Sequence, residues 1–235
     1  MVIVMPSWTI HMKIGKEILK KIKMDKDLFL FGSLIPDTDY DWKLKRFSAH
    51  YYGKLKFPIC PYENMIDLQA FKKDYEEVLN NDMIKGYYTH LLIDNFYNEY
   101  IYKNKWVQKN NVVVGIKTIK GEIINVSDNY RLAGYYKHKD LELYGKRIFL
   151  KEELVLPDDT SKIKESIKLL KDGFIKEENV DKRIKYLHGD FIDNFVKVKE
   201  EEKELDYLLF TKEELDNLMN KCIEYVYKEL LSLIK

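Results

Sequence analysis

The amino-acid sequence predicts a single, mainly α-helical domain over residues 1–235. Apolar residues recur at helical spacing in three long stretches, residues 10–22, 82–102 and 213–234. The chain is long enough to bury a full hydrophobic core, and its 46% apolar and 34% charged residues are typical of a globular protein. No repeat, low-complexity tract or linker divides the sequence.

The elements of the first half each have a local signal. Ser7 or Thr9 is the predicted N-cap of the first helix. An apolar run over residues 27–35 follows, and Pro36 stops it. A helix is predicted over residues 64–80, after which a short polar turn begins the central helix.

The second half carries a different pattern. Two short apolar runs within residues 112–126 flank Lys120 and Gly121, which predicts a small β-hairpin. Thr211 and Glu214 form a capping box at the start of the last helix. Further helices are predicted over residues 141–153, over residues 161–172, and from residue 181 into the 190s.

Charge and cysteine content exclude several classes of protein. The chain has 40 basic and 39 acidic side chains, a net charge of +1, so no global field attracts nucleic acid or an anionic membrane. Cys60 and Cys222 form no disulfide framework, which fits a reducing compartment. The sequence has no secretory signal pattern and no apolar run near the roughly 20 residues of a membrane span. We therefore expect a cytoplasmic protein, with Met1 or Met5 as its start.

The candidate functional centre lies in the central helix. His90 and Asp94 are four residues apart, so they lie on one face of a helix. The residues between them, Leu91 to Ile93, are apolar, which indicates that the helix is buried. A buried imidazole and carboxylate need a partner for their polarity. A metal ion is one such partner, and a mutual hydrogen bond in the core is the alternative.

Further candidate ligands precede the central helix. His11 lies in the first turn of the first helix, where an exposed histidine is the alternative interpretation. Asp37 and Asp39 follow a proline in a loop, and their carboxylates face either solvent or an ion. His50 lies among aromatic residues and is either a ligand or hydrogen-bonded in the core. Imidazole and carboxylate ligands without cysteine favour a divalent transition metal, Zn²⁺ first, with Mn, Fe or Ni as alternatives.

One more pair of candidates lies in the second half. His138 and Glu142 are four residues apart and are candidates for a further metal site or for the lining of a cleft. His188 precedes Gly189 and is predicted to be structural or exposed.

Four segments carry a resemblance to a known family: Met5-Pro-Ser-Trp-Thr-Ile-His11, Phe31-Gly-Ser-Leu-Ile-Pro-Asp37, His50 and Gly86-Tyr-Tyr-Thr-His-Leu-Leu-Ile-Asp94. Their order resembles that of the zinc-dependent phospholipase C and fungal single-strand nuclease family. The resemblance covers a metal-site half, residues 1–103, and is weaker over the more divergent half, residues 104–235. It implies an all-α bundle in which zinc ions hydrolyse phosphoester bonds. It also implies that Asp37, His50, His90 and Asp94 form one metal site, and that Asp94 bridges to a second ion held by His11.

The sequence departs from the family pattern at two places. Secreted members also bind metal through a processed N-terminal tryptophan, whereas Trp8 is internal here. The family has a histidine shortly after the central aspartate and then His-x-x-x-Glu. Residues 95–100 contain no histidine, and only His138 with Glu142 supplies a similar pair, farther along the chain. We therefore expect one or two ions.

The predicted activity is metal-dependent hydrolysis of a phosphoester by an ion-activated water. Asp37 is the predicted general base that accepts the proton of this water, and Asp39 is the alternative. A net charge of +1 favours a small phosphodiester or a phospholipid head group over nucleic acid as substrate. The alternative is a non-catalytic helical protein with a structural or vestigial metal site. Acyl-transfer and nucleotide-hydrolysis motifs are missing from the sequence.

Overall fold

The computed structural model describes residues 8–37, 49–52, 66–110, 112–129, 131–149, 154–171, 175–193 and 206–234. The protein is mainly helical with one small antiparallel sheet, so the predicted mainly α class is confirmed. The α-helices are α1 (Trp8–Lys21), α2 (Lys26–Gly32), α3 (Leu68–Asp74), α4 (Asp82–Asn104), α5 (Arg131–Phe149), α6 (Thr160–Ser166), α7 (Glu177–Tyr186) and α8 (Lys212–Ile234). The strands are β1 (Trp106–Lys109), β2 (Val112–Lys117) and β3 (Ile123–Asn125).

Helix α4 is the core helix of the fold, as predicted. Every residue from Met83 to Asp94 is buried, so the helix is covered on all sides over its first three turns. The Asn81 side chain caps its start by accepting the backbone N–H groups of Met83 and Ile84. Around it pack α1, α2, α3 and α8.

Helices α2 and α4 cross at two glycines. A Cβ placed on Gly32 would lie 2.1 Å from the carbonyl oxygen of Met83, and one on Gly86 would lie 2.0 Å from that of Phe29. Only glycine allows backbones to approach this closely. The crossing brings Ser33, the residue after α2, against the buried face of α4.

Several predicted boundaries are wrong, because packing overrides the local pattern. The helix predicted over residues 64–80 ends, within the described residues, where Tyr75 leaves the helical conformation. The Tyr75 side chain then packs in the core, 4.8 Å from the ring of Phe71, and a separate 3₁₀ turn follows at Glu76–Val78. Likewise α6 ends at Ser166 and continues only as a 3₁₀ turn.

The predicted hairpin is confirmed, but it belongs to a larger sheet. Strands β2 and β3 pair in antiparallel fashion, and Gly121 in the connecting turn has a φ of +80°. Strand β1, which the sequence did not predict, pairs with the other side of β2 and places Trp106 opposite Ile116. Its four residues directly follow α4 and are too few to show an alternating pattern.

The last helix joins the two halves of the chain. The Thr211 hydroxyl accepts the backbone N–H of Glu214 at 3.1 Å, which is half of the predicted capping box. The Glu214 carboxylate instead binds Tyr100 and Lys105. Buried apolar side chains from both halves form one core cluster.

Among the described helices, none combines the length and the apolar composition that a membrane span requires.

Candidate metal centre

Five of the predicted ligands meet beside the middle of α4. His11 comes from α1, Asp37 from the 3₁₀ turn after α2, and His50 from the short described segment 49–52. His90 and Asp94 come from α4 itself. Their ligand atoms form two overlapping groups, one of His11, His90 and Asp94 and one of Asp37, His50 and His90. The Asp37 side chain is 8% exposed, and the other four are fully buried.

The distances between these ligand atoms suit a coordination shell. Asp94 Oδ2 lies 3.3 Å from His90 Nε2 and 3.8 Å from His50 Nε2. Asp94 Oδ1 lies 3.4 Å from His11 Nε2, and Asp37 Oδ1 lies 3.4 Å from His50 Nε2. Charge-assisted hydrogen bonds would be about 2.7–2.9 Å long. Two ligands bound at about 2.0–2.2 Å to a tetrahedral ion lie about 3.3–3.6 Å apart, which matches most of these separations.

Several of these buried polar atoms have no hydrogen-bond partner among the described residues. They are both ring nitrogens of His11, Nε2 of His90 and both carboxylate oxygens of Asp94. Each such atom costs about 1–3 kcal/mol if nothing compensates it, and folded proteins contain few of them. A cation bound between them would satisfy all except the outer nitrogen of His11.

The other nitrogen of His90 fixes the orientation of the ring. Nδ1 lies 2.8 Å from the carbonyl oxygen of Ser33, so Nδ1 carries the proton and donates to that oxygen. In the neutral ring the lone pair is then on Nε2, which faces Asp94. Metal-binding histidines commonly have such a partner on their outer nitrogen. The crossing of α2 and α4 at Gly32 and Gly86 brings the Ser33 carbonyl within this distance.

The charges of the cluster favour a cation. Burial and the neighbouring His90 lower the pKa of His11. Burial also opposes the charging of His90, but the carboxylate of Asp94 outweighs it and raises the pKa of His90. Burial acts against ionisation of Asp94 as well, yet His90 and His11 hold the pKa of Asp94 well below its usual range. At neutral pH Asp94 is therefore ionised and His11 neutral, the states in which these groups bind a metal.

The three histidine rings of the cluster lie close together. The rings of His11 and His90 are stacked, with centroids 4.1 Å apart and planes 7° apart. The rings of His50 and His90 are 5.2 Å apart at 69°. The ligand atoms outline two overlapping positions for an ion, one among His11, His90 and Asp94 and one among Asp37, His50 and His90, with His90 in both groups.

Two residues that the sequence did not predict as functional surround Asp37. The indole Nε1 of Trp8 donates a hydrogen bond to Asp37 Oδ2 at 3.3 Å. Arg183 donates from Nη2 to the backbone carbonyl of Asp37 at 3.4 Å, and its guanidinium lies 4.4 Å from the centroid of the Trp8 ring. Arg183 lies in an ordinary amphipathic helix, so no local signal marks it.

His138 and Glu142, the other predicted ligands in the part of the chain that the structure describes, do not join the cluster. His138 and Glu142 lie on α5 and belong to neither group of ligands. The exposed carboxylate of Glu142 lies 3.4 Å from Nζ of Lys146, one helical turn away. Asp39 lies outside the described residues. His188 is exposed, with Nε2 2.9 Å from the carbonyl oxygen of Pro157, as its structural interpretation predicted.

Comparison of the chain with family models, with curated proteins and with solved structures found no match. The resemblance to the phospholipase C and nuclease family therefore rests on the residues quoted above, and the activity it implies stays a prediction. The geometry provides a buried cluster of histidine and aspartate that can hold a metal ion.

Proposed function

We propose that this protein binds one or two divalent transition-metal ions at His11, Asp37, His50, His90 and Asp94. The observation that carries the proposal is the convergence of these five ligand side chains, from separate parts of the chain, on one buried region. Nitrogen and carboxylate ligands without a thiolate suit Zn²⁺ first, and also Mn, Fe or Ni.

We propose further that the metal-bound protein hydrolyses a phosphoester, as a phospholipase C-like enzyme. When bound, the ion neutralises charge on the phosphoryl oxygens and lowers the pKa of a water from about 15.7 to about 7. Asp37 is the first candidate for the proton acceptor. Its Oδ1 faces His50 and its Oδ2 accepts the indole N–H of Trp8, so Oδ2 would have to exchange that bond for the proton of a water. Asp39 is the second candidate.

A small anionic ester is the substrate class that the charges favour. The chain has a net charge of +1, so no overall positive field draws in the phosphates of a nucleic acid. One local positive charge is available, since the buried Arg183 lies beside Asp37, and the metal would add to it. We therefore propose a small phosphodiester or a phospholipid head group.

A structural metal centre without catalytic activity is the second candidate. The observation that favours it is the complete burial of His11, His50, His90 and Asp94. Catalytic zinc sites keep an open position for water or substrate, whereas structural sites are closed. An ion held in this way would connect three parts of the chain: α1, α4 and the 3₁₀ turn that follows α2. Its binding energy would stabilise the fold.

Elemental analysis of the protein purified without chelator tests the metal site. We expect at least one transition-metal ion per chain in the wild type and its loss in His90→Ala. His188→Ala is the matched control, because His188 is exposed and outside the cluster, and we expect it to keep the wild-type metal content. Full metal content in His90→Ala would refute the proposed ligand set.

A substrate screen then separates the enzyme from the structural centre. Metal-loaded protein is assayed on a phosphodiester, a phosphomonoester and a phospholipid, with Asp37→Asn beside it. Turnover that disappears in Asp37→Asn while the metal is retained supports Asp37 as the base. Turnover that survives in Asp37→Asn assigns that role elsewhere. No turnover on any substrate, with metal bound, favours the structural centre.

A further inference from the structure

Trp8, the half-buried first residue of α1, packs against side chains from the second half of the chain. Arg183 lies over its ring with the guanidinium 4.4 Å from the ring centroid. Tyr186 meets the ring edge-on at 5.8 Å, and Phe191 packs against it at 5.7 Å and 42°. The three side chains come from α7 and from the π-helical turn Leu187–Phe191 that continues it.

The π-helical turn explains why two aromatic residues five positions apart reach one indole. In an α-helix, Tyr186 and Phe191 would point about 140° apart around the axis. A turn closed by i→i+5 hydrogen bonds brings residues five apart onto nearly the same side. The two rings are 6.2 Å apart here, and both contact Trp8. Such turns are rare in proteins, and many of those that do occur lie at functional sites.

The Trp8 indole directs its N–H at a proposed metal ligand. Trp8 Nε1 donates to Asp37 Oδ2 at 3.3 Å, while Asp37 Oδ1 lies 3.4 Å from Nε2 of His50. Arg183, only 6% exposed, donates to the backbone carbonyl of the same residue at 3.4 Å. Side chain and backbone of Asp37 are thus both held, and Oδ1 is the oxygen directed at the centre.

We propose that Trp8 and Arg183 are positioning residues that orient Asp37 for metal binding, which rests on the metal centre proposed above. Hydrogen bonds to a ligating carboxylate fix its orientation, and their loss costs about 10–100-fold in metal affinity. Arg183 acts through Trp8 as well as directly, because a desolvated guanidinium stacked on an indole restrains the ring. Metal affinity therefore depends on α7, although α7 contributes no ligand to the cluster.

The decisive experiment is a Zn²⁺ titration of Trp8→Phe against a competing chelating dye. Phenylalanine keeps an aromatic ring against Tyr186 and Phe191 but has no N–H. We expect the Zn²⁺ affinity to fall about 10–100-fold while the Tm of the metal-free protein changes little. Trp106→Phe is the matched control, because the Trp106 indole is buried in β1 and its nitrogen has no hydrogen-bond partner among the described residues. It should keep the wild-type affinity.

A second arm tests the guanidinium. Arg183→Met removes the charge and the N–H groups but keeps much of the stem, and we expect about tenfold weaker Zn²⁺ binding. Arg183→Lys restores a charge over the ring and should recover part of that loss. The control is Arg147→Met, because Arg147 stacks on a tyrosine at a similar distance, 4.5 Å from the ring of Tyr207, and has no contact with Asp37 among those described. It should bind Zn²⁺ as the wild type does.

The outcomes distinguish a failure of this inference from a failure of the proposed metal centre. Wild-type Zn²⁺ affinity in both Trp8→Phe and Arg183→Met would overturn the positioning role. Loss of affinity only in step with a lower metal-free Tm would overturn it too, because it would indicate a purely structural role. If the wild-type chain itself binds no Zn²⁺, the proposed metal centre fails instead.

Discussion

Replacing Gly86 with alanine tests whether the close crossing of α2 and α4 builds the metal centre. The new Cβ would lie 2.0 Å from the carbonyl oxygen of Phe29 and 3.0 Å from the Cα of Gly32. Both are backbone atoms, so no side-chain rotation relieves the overlap. A close carbon–oxygen contact is about 3.3 Å, so the two helices must separate by about 1.3 Å at this point.

Two opposing contributions set the magnitude. Alanine is favoured over glycine inside a helix by about 1 kcal/mol, whereas overpacking a core costs about 1–3 kcal/mol and sometimes more. Because the overlap is between backbones, we expect the cost at the upper end of this range or beyond, and a net loss of about 2 kcal/mol. For a chain of this length that lowers the Tm by about 4–8 °C.

Urea and thermal unfolding of Gly86→Ala, with Gly134→Ala as control, measure this loss. Gly134 also lies inside a helix, α5, but nothing is within 4 Å of an added Cβ, so that variant should gain up to about 1 kcal/mol. Separating the helices also moves the Ser33 carbonyl from His90 Nδ1, now 2.8 Å away, so Zn²⁺ affinity should fall in Gly86→Ala alone. A Tm of Gly86→Ala at or above that of the wild type would refute the reasoning.

Three further predictions concern stability. A ligand such as Zn²⁺ at about 1,000 times its Kd stabilises the folded protein by about 4 kcal/mol. Removing the metal with EDTA should therefore lower the Tm measured by calorimetry by about 8–16 °C. An unchanged Tm would contradict the metal site. Asp140→Asn should lower the free energy of unfolding in urea by about 3 kcal/mol, because the Asp140 carboxylate accepts the backbone N–H groups of residues 208–210 at 2.7–3.2 Å. Asp128→Asn is the control and should leave the free energy of unfolding unchanged, because Asp128 is exposed. Thr211→Ala removes the N-cap of α8 and should cost about 1 kcal/mol, and an unchanged urea midpoint would argue against that cap.

The sequence by itself determined the fold class and the three long helices α1, α4 and α8. Helix α5 begins at Arg131, ten residues before the predicted start at residue 141. The start of α4 at Asn81 and of α8 at Thr211 depends on caps that act within three residues. The buried face of α8 follows from periodicity, whereas α4 is buried on all sides from Met83 to Asp94. The end of α3 at Tyr75 and the existence of β1 were decided by packing. Tyr75 leaves its helix to enter the core, and β1 forms because β2 lies beside it.

In the candidate centre, too, the sequence determined some features and the packing of the chain determined the others. His90 and Asp94 share a helical face whatever the rest of the chain does, and that much followed from their spacing. His11, Asp37 and His50 were predicted as ligands through a family resemblance. Only the packing of α1, of the turn after α2 and of the segment 49–52 on α4 brings them to that face. Arg183 lies 146 residues from Asp37, and Gly86 matters only because Phe29 approaches it. Such contacts depend on how distant segments pack, and local spacing in the sequence carries no record of that packing.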